Sequence, residues 1–216
     1  MLKYRLYYSP GACSLAPHIA LEELGIPYEA ARVTIAEGLN SKPEYLAINP
    51  RGRVPALAIT EHGKERILTE AMAILVLLAR NHPEANLLPA DTEGFVRALE
   101  WMGWLGSNLH QTGVRTVFRP ERFVSDPSVA DKVAEKGREM VRAGMADIES
   151  RLTNRTWALG DSYSLVDAYL LVFFRWGGRC GLAMRKEFPH YTRIMDAVRA
   201  RAAVQRAIEQ EGVQIE

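Results

Sequence analysis

Apolar positions change their rhythm near residue 81. Before it, short runs of strand character alternate with stretches in which apolar side chains recur every three or four positions. After it the helical spacing dominates. Residues 4–8 form an aromatic-rich extended run, broken by Ser9-Pro10-Gly11. Residues 12–24 then read as a helix with Ala16, Ile19, Ala20 and Leu24 on its inward stripe, stopped by Gly25 with Pro27 behind it. Residues 28–33 are a second strand, and strand, helix and strand in that order predict a parallel pair. A short helix over 43–48 leads into the turn Asn49-Pro50-Arg51-Gly52. Residues 56–59 and 66–68 are strands joined through Glu61-His62-Gly63-Lys64, a connection short enough for an antiparallel hairpin. A helix over 70–80 completes the order βαβαββα, which suits a small mixed sheet with helices on both faces.

Residues 81–91, with Pro83 and Pro89, read as a linker. Helices are predicted over 92–117, 126–151, 165–179 and 191–211, the last with a break. The expected fold is therefore α+β over residues 1–81 followed by an all-helical domain over 92–216. No internal repeat or low-complexity segment interrupts this division.

Composition narrows the function without choosing it. The chain has 216 residues, 48% of them hydrophobic and 25% charged, with a net charge of +1. That balance gives no reason to expect nucleic acid or an anionic membrane as partner. Its two cysteines, Cys13 and Cys180, are far apart and belong to no CxxC pair, so neither a disulfide framework nor a zinc site is expected. The five histidines show no metal-ligand spacing, and no metal is expected. The first residues lack the apolar run of a signal peptide, and no apolar stretch is long enough to span a bilayer. A reducing cytoplasmic compartment is the simplest expectation.

Five local patterns bear on chemistry. Tyr8-Ser9-Pro10-Gly11-Ala12-Cys13-Ser14 places a cysteine where a strand hands over to a helix. There the helix dipole and unpaired N–H groups favour a thiolate; a small buried apolar residue is the alternative. In Gly52-Arg53-Val54-Pro55-Ala56, a proline between a turn and a strand either carries a cis bond, presenting the Val54 backbone to an extended ligand, or is an ordinary trans proline. Leu68-Thr69-Glu70-Ala71 is a second strand-to-helix junction, where backbone N–H groups can hold a carboxylate and Glu70 an ammonium, or where Thr69 simply caps the helix. Ser164-Leu165-Val166-Asp167 has the spacing of a capping box, and its expected role is structural. On the helix near residues 100–111, Gly103, Ser107 and His110 share one face, with Gly103 and Gly106 permitting close approach by a neighbour. His110 is either a polar site residue or a hydrogen-bonded interface histidine.

The order and spacing of these patterns resemble the cytosolic glutathione transferases, and among them the bacterial beta class. The likeness runs nearly end to end through LYYSPGACSLAPHIALEELG (6–25), YLAINPRGRVPAL (45–57), ILTEAMAI (67–74), LEWMGWLGSNLH (99–110) and GDSYSLVDAYL (160–170). It implies a thioredoxin-like domain that binds glutathione as co-substrate, a helical domain supplying much of a hydrophobic second-substrate pocket, and a homodimer. By this likeness Cys13 lies beside the glutathione sulfur. Val54 pairs with the tripeptide backbone, with Pro55 as the cis-proline, and Glu70 and Ala71 hold the γ-glutamyl end. His110 reaches glutathione across the dimer interface. The sequence departs from the family in the loop containing Gly38, where a lysine is common, and at Gly103 and Gln111, where asparagine and lysine are expected. Arg53, Arg115 or Arg119 are candidates to replace those contacts. The implied activity is conjugation of glutathione thiolate to a small hydrophobic electrophile, with Cys13 and Ser14 as the catalytic candidates. Pro10, Gln111, Arg115, Phe118, Arg175 and Arg179 are the expected pocket residues, the arginines favouring an anionic or polar acceptor. Thiol-disulfide or lyase chemistry through Cys13, and a non-catalytic binding protein with a degenerate site, are the alternatives.

Overall fold

The computed structural model describes residues 2–215. Its contacts divide it into two compact units, residues 2–90 with 199–214, and 91–198 with Ile215.

The first unit is built on four strands, β1 (Lys3–Tyr8), β2 (Tyr28–Arg32), β3 (Ala56–Glu61) and β4 (Lys64–Thr69), in the order β2-β1-β3-β4. β1 and β2 are parallel, Tyr4 opposite Tyr28; β1 and β3 are antiparallel, as are β3 and β4. The parallel pair and the hairpin both match the sequence pattern. His62 and Gly63 form the hairpin turn with φ of 49° and 77°, the positive pair that a two-residue loop needs to follow the strand twist. Helices α1 (Leu15–Leu24), α2 (Pro43–Leu46) and α3 (Ala71–Asn81) complete the βαβαββα order.

α1 is shorter than the predicted 12–24 and far more buried than one inward stripe. Leu15 through Leu21 are all buried, whereas the expected core residue Leu24 is only partly so. The reason lies at the other end of the chain. α1 packs on β1 and α3 and is also covered by the last helix, residues 202–211. The sequence boundary assigned that helix to the all-α domain; its contacts place it in the first unit.

The second unit contains α4 (Thr92–Trp104), a ten-residue π-helical segment (Leu105–Val114), α5 (Arg115–Phe118), α6 (Ala130–Leu152), α7 (Leu165–Arg179), α8 (Met184–Glu187) and α9 (Pro189–Arg199). The final helix of the chain, α10 (Ala202–Glu211), follows a break at residues 200–201, as the pattern anticipated. α7 is the centre of this unit, with every residue from Leu165 to Phe174 buried. Its start is the predicted capping box: the Ser164 hydroxyl accepts from the Val166 N–H at 3.3 Å, and the Asp167 carboxylate accepts from the Ser164 N–H at 2.8 Å. Asp167 also accepts from the Ser164 hydroxyl at 3.0 Å and from the Ala158 N–H at 2.8 Å, tying down the loop before the helix.

Burial outweighs these donors and pushes the Asp167 carboxyl up to about 6. A carboxyl raised on folding takes up a proton when the chain folds, so its contribution to stability is lost as pH rises through about 6. Ser164→Ala should lower stability by ~1 kcal/mol with catalysis little changed. The stability difference between wild type and Asp167→Asn should grow in favour of wild type as pH falls from 7 to 4.5, by about 2 kcal/mol. Urea unfolding of the three proteins at several pH values measures both effects; an Asp167→Asn difference independent of pH would contradict the assignment.

Candidate functional site

β1 ends at Tyr8, and the chain turns over Ser9-Pro10-Gly11-Ala12, closed by the Ala12 N–H donating to the Ser9 carbonyl at 3.0 Å. Proline in the second place and glycine at φ 65° in the third are what a type II turn requires. Ser14 locks the turn from inside. Its hydroxyl accepts from the Ser9 N–H at 3.1 Å and donates to the Ser9 carbonyl at 3.2 Å, fully buried. A hydroxyl so engaged is not placed to serve a ligand sulfur; what Ser14 can still offer is its backbone. Cys13, by contrast, is half-buried, and its thiol donates to the Val54 carbonyl at 3.5 Å. It lies two residues before the first helical residue, at the positive end of α1.

The Val54 segment that receives Cys13, just before β3, is prepared by the preceding turn. Gly52, at φ 58°, closes it with a 2.9 Å bond from its N–H to the Asn49 carbonyl. A side chain at Gly52 would meet the Asn40 carbonyl at 2.9 Å, so the close crossing of these two loops depends on glycine. The Asn40 amide in turn donates to the Gly52 carbonyl at 2.9 Å. The Arg53 carbonyl accepts from the Tyr45 hydroxyl and the Asn49 amide, both at 2.7 Å, while the Arg53 side chain is exposed. Burial pushes the Tyr45 phenol up to about 12, which keeps it a neutral donor. The Val54–Pro55 peptide is cis, and both residues are buried.

At the start of α3, Glu70 adopts φ 72° and ψ 123° and makes no side-chain capping bond. A non-glycine residue held at positive φ outside a turn costs ~1–3 kcal/mol, and strain of this kind clusters at ligand-binding positions. Its side chain is exposed, and Ala71, immediately following, is buried. The capping role considered for Thr69 is therefore absent: Glu70 occupies the N-cap position.

Cys13, Val54 and Pro55 are thus brought together within the first unit. Pro10, Ser14, Arg53, Glu70 and Ala71 lie in the same unit, whereas His110, Gln111, Arg115, Phe118, Arg175 and Arg179 belong to the second. His110 lies in the π-helical segment, its ring centroid 4.6 Å from that of Trp176 and 6.4 Å from that of Phe173. Gln111 accepts from the Arg115 guanidinium at 2.5 Å. The exposed Arg179 guanidinium lies 5.1 Å over the Phe118 ring, and Arg175 on the same helix is half-buried. The Ser107 hydroxyl donates back to the Gly103 carbonyl at 2.8 Å, pairing two of the residues expected on one face. The departure at Gly38 falls in a pair of 3-10 turns, at φ 72°.

Cys180 is a structural residue: it is buried, and burial pushes its thiol up to about 11. Among the described residues, no group of three or more His, Cys, Asp or Glu side chains is placed to hold a metal, and no helix is long and apolar enough to cross a membrane. Sequence reasoning missed Tyr45 and Asn49, which steady the Arg53 carbonyl, and Trp176, which flanks His110. The first two sit in the YLAINPRGRVPAL segment and were within reach as turn-adjacent hydrogen-bonding types; Trp176 has no local signal.

Comparison with known proteins extends the geometry. Residues 11–81 match the N-terminal domain of glutathione S-transferase, and residues 107–202 its C-terminal domain. The glutathione S-transferase GstA of Escherichia coli O157:H7 is 30% identical over 211 residues, spanning 97% of this chain and 99% of that protein. Among solved structures, a glutathione transferase homologue from Sulfitobacter with bound glutathione superposes with a TM-score of 0.90 at 34% identity, covering 99% of this chain and all of that one. The beta class glutathione S-transferase of Sphingomonas chungbukensis does so with a TM-score of 0.82 at 30% identity, covering 97% of this chain and all of that one. Sheet order, helical second unit and matches along nearly the whole length agree: the chain belongs to the glutathione S-transferase family.

Proposed function

We infer that the protein conjugates glutathione to a small electrophile, and that Cys13 borders the glutathione sulfur. The observation that carries this is the half-buried Cys13 thiol, held at the start of α1 with its donor on the Val54 carbonyl. On this reading the extended tripeptide runs along the Val54–Pro55 segment, and its γ-glutamyl end meets Glu70 and Ala71. The positive φ of Glu70 supports that placement. Thiolate is scarce at neutral pH for an ordinary thiol, so fixed dipoles aimed at the sulfur lower the barrier. Donors at the α1 start, from Cys13 and from the Ser14 backbone, are suited to this. The glutathione thiolate forms a sulfur–carbon bond to the electrophile, and the leaving group departs with the bonding pair. Pro10, Gln111, Arg115, Phe118, Arg175 and Arg179 contribute to electrophile recognition, and the three arginines favour an anionic or polar acceptor. No metal takes part in the proposed step, and the cytoplasm is the proposed compartment.

A homodimer is part of the proposal. Met72 on α3 and Val96 on α4 are exposed apolar side chains, 37% and 50% accessible, and their cover by a second copy would remove apolar surface from water. The protein should elute at about twice the 24.2 kDa chain mass. Light scattering at micromolar concentration checks this, and a monomer would remove His110 as a cross-subunit contact.

The test of Cys13 is its replacement by alanine. If glutathione is the nucleophile, Cys13→Ala loses one hydrogen-bond donor, ~1–3 kcal/mol, and conjugation to an aromatic halide remains measurable. If Cys13 instead attacks oxidised glutathione, forming a mixed disulfide and releasing one glutathione thiolate, the variant loses that reductase activity entirely. Assays of both activities on wild type and variant decide. The expected result is retained conjugation and glutathione affinity reduced several-fold; loss of all conjugation would favour the disulfide route.

A further inference from the structure

The side of α1 covered by α10 carries a polar cluster that the chemistry above leaves unused. His18 and Glu211 are both completely buried, with His18 Nδ1 3.0 Å from Glu211 Oε1. The other carboxylate oxygen of Glu211 accepts from the Gly11 N–H at 2.7 Å. His18 Nε2 lies 2.7 Å from the Gln210 side-chain oxygen. That amide is oriented by its far end, whose nitrogen donates to Glu22 at 2.8 Å. Both ring nitrogens therefore face side-chain oxygens on α10, and the ring ties Glu211 to Gln210. Around this centre, the Tyr28 hydroxyl donates to Glu22 at 2.5 Å and Arg206 to the same carboxylate at 2.6 Å. Arg201 clasps Glu23 through two bonds of 2.6 and 2.8 Å.

The bond to Gly11 is the one that reaches the thiol site. Gly11 N–H belongs to the Pro10–Gly11 peptide, the central peptide of the turn. Type I and type II turns differ mainly in a flip of that peptide. Because N–H and C=O of a trans peptide point opposite ways, the flipped form would turn the Pro10 carbonyl toward a buried carboxylate. Glu211 thus accepts one orientation and repels the other, and a charged acceptor away from water makes the selection strong.

We propose that Glu211, held in place by His18, is a positioning residue for the thiol site: the last helix fixes the Pro10–Gly11 peptide and thereby the approach of Cys13 to the Val54 carbonyl. This rests on the reading that Cys13 borders the glutathione sulfur.

The test compares Glu211→Gln, which keeps an acceptor for Gly11, with Glu211→Met, which keeps the bulk and loses it. Packing of α10 on α1 treats the two alike; positioning does not. Glu211→Gln should keep KM for glutathione within about twofold of wild type, while Glu211→Met raises it about tenfold with KM for the electrophile unchanged. Alkylation of Cys13 by iodoacetamide should become faster in Glu211→Met, with buried Cys180 as the slow internal reference. Should Glu211→Met fail to fold by circular dichroism, the double variant H18L/E211M removes both polar partners together and keeps an apolar fill; it should fold and show the same KM and alkylation changes. Wild-type KM and alkylation in either folded protein overturns the proposal, as does equal impairment of Glu211→Gln and Glu211→Met. Cys13→Ala separates the two claims. Unchanged glutathione affinity there removes the site reading, whereas alkylation of Cys13 in Glu211→Met reports on the loop without reference to glutathione.

Discussion

Helix α1 has no side open to water along its first two turns, and the geometry of the first unit follows from that constraint. A helix packed on a sheet and α3 on one side, and on α10 on the other, cannot leave polar groups for solvent to satisfy. Its entry loop therefore supplies its own partners: Ser14 closes on Ser9, and Gly11 finds Glu211. A buried donor left unpaired costs ~1–3 kcal/mol, so each of these bonds constrains more than it stabilises. The half-buried position of Cys13 is what remains when its neighbours on both sides, Gly11 and Ser14, are tied inward.

The second unit shows the same logic at a different point. α7 is buried for most of its length, so the groups at its start must be satisfied locally, and Ser164 and Asp167 do this with the loop at Ala158. Facing helices add specific ring contacts: Arg151 lies 4.9 Å over Trp101 and 5.1 Å over Trp104, and Trp176 flanks His110. The segment carrying His110 and Gln111 is wound as a π-helix, with residues five apart brought into register. Windings of this kind frequently mark functional positions in long helices.

What could be read from the sequence was what local pattern encodes. The strands, their parallel and antiparallel pairing, the capping box and the break before α10 each leave a mark within a few residues, whereas the local pattern left Pro55 open between cis and trans and only the family resemblance pointed to the cis bond. What escaped depends on distance along the chain or on winding. Glu211 meets Gly11 across 200 positions, and no periodicity announces it. The π segment has the same apolar spacing as an ordinary helix within the tolerance of a pattern search, so the reading of 92–117 as one regular helix passed over it. Ser14 looked available because its type suits a ligand; only the fold shows its hydroxyl turned inward. The grouping of α10 with the first unit is hidden from the sequence for a related reason: a helix that follows other helices looks like their continuation, and the charged pairs that bind it to α1 are visible only in three dimensions.

The strand order places β2 and β4 at the two margins of the sheet, and both are rich in charge. β4 opens with Lys64, Glu65 and Arg66, and β2 carries Glu29 and Arg32, all exposed. A margin of this kind resists being lengthened by a strand from another molecule, because pairing would crowd charged side chains against the incoming chain. The sheet is therefore finished within one chain. Any assembly of two copies has to be made by helical faces and side-chain packing rather than by a continuous ladder of backbone bonds, and the same barrier works against runaway strand addition when the protein is concentrated.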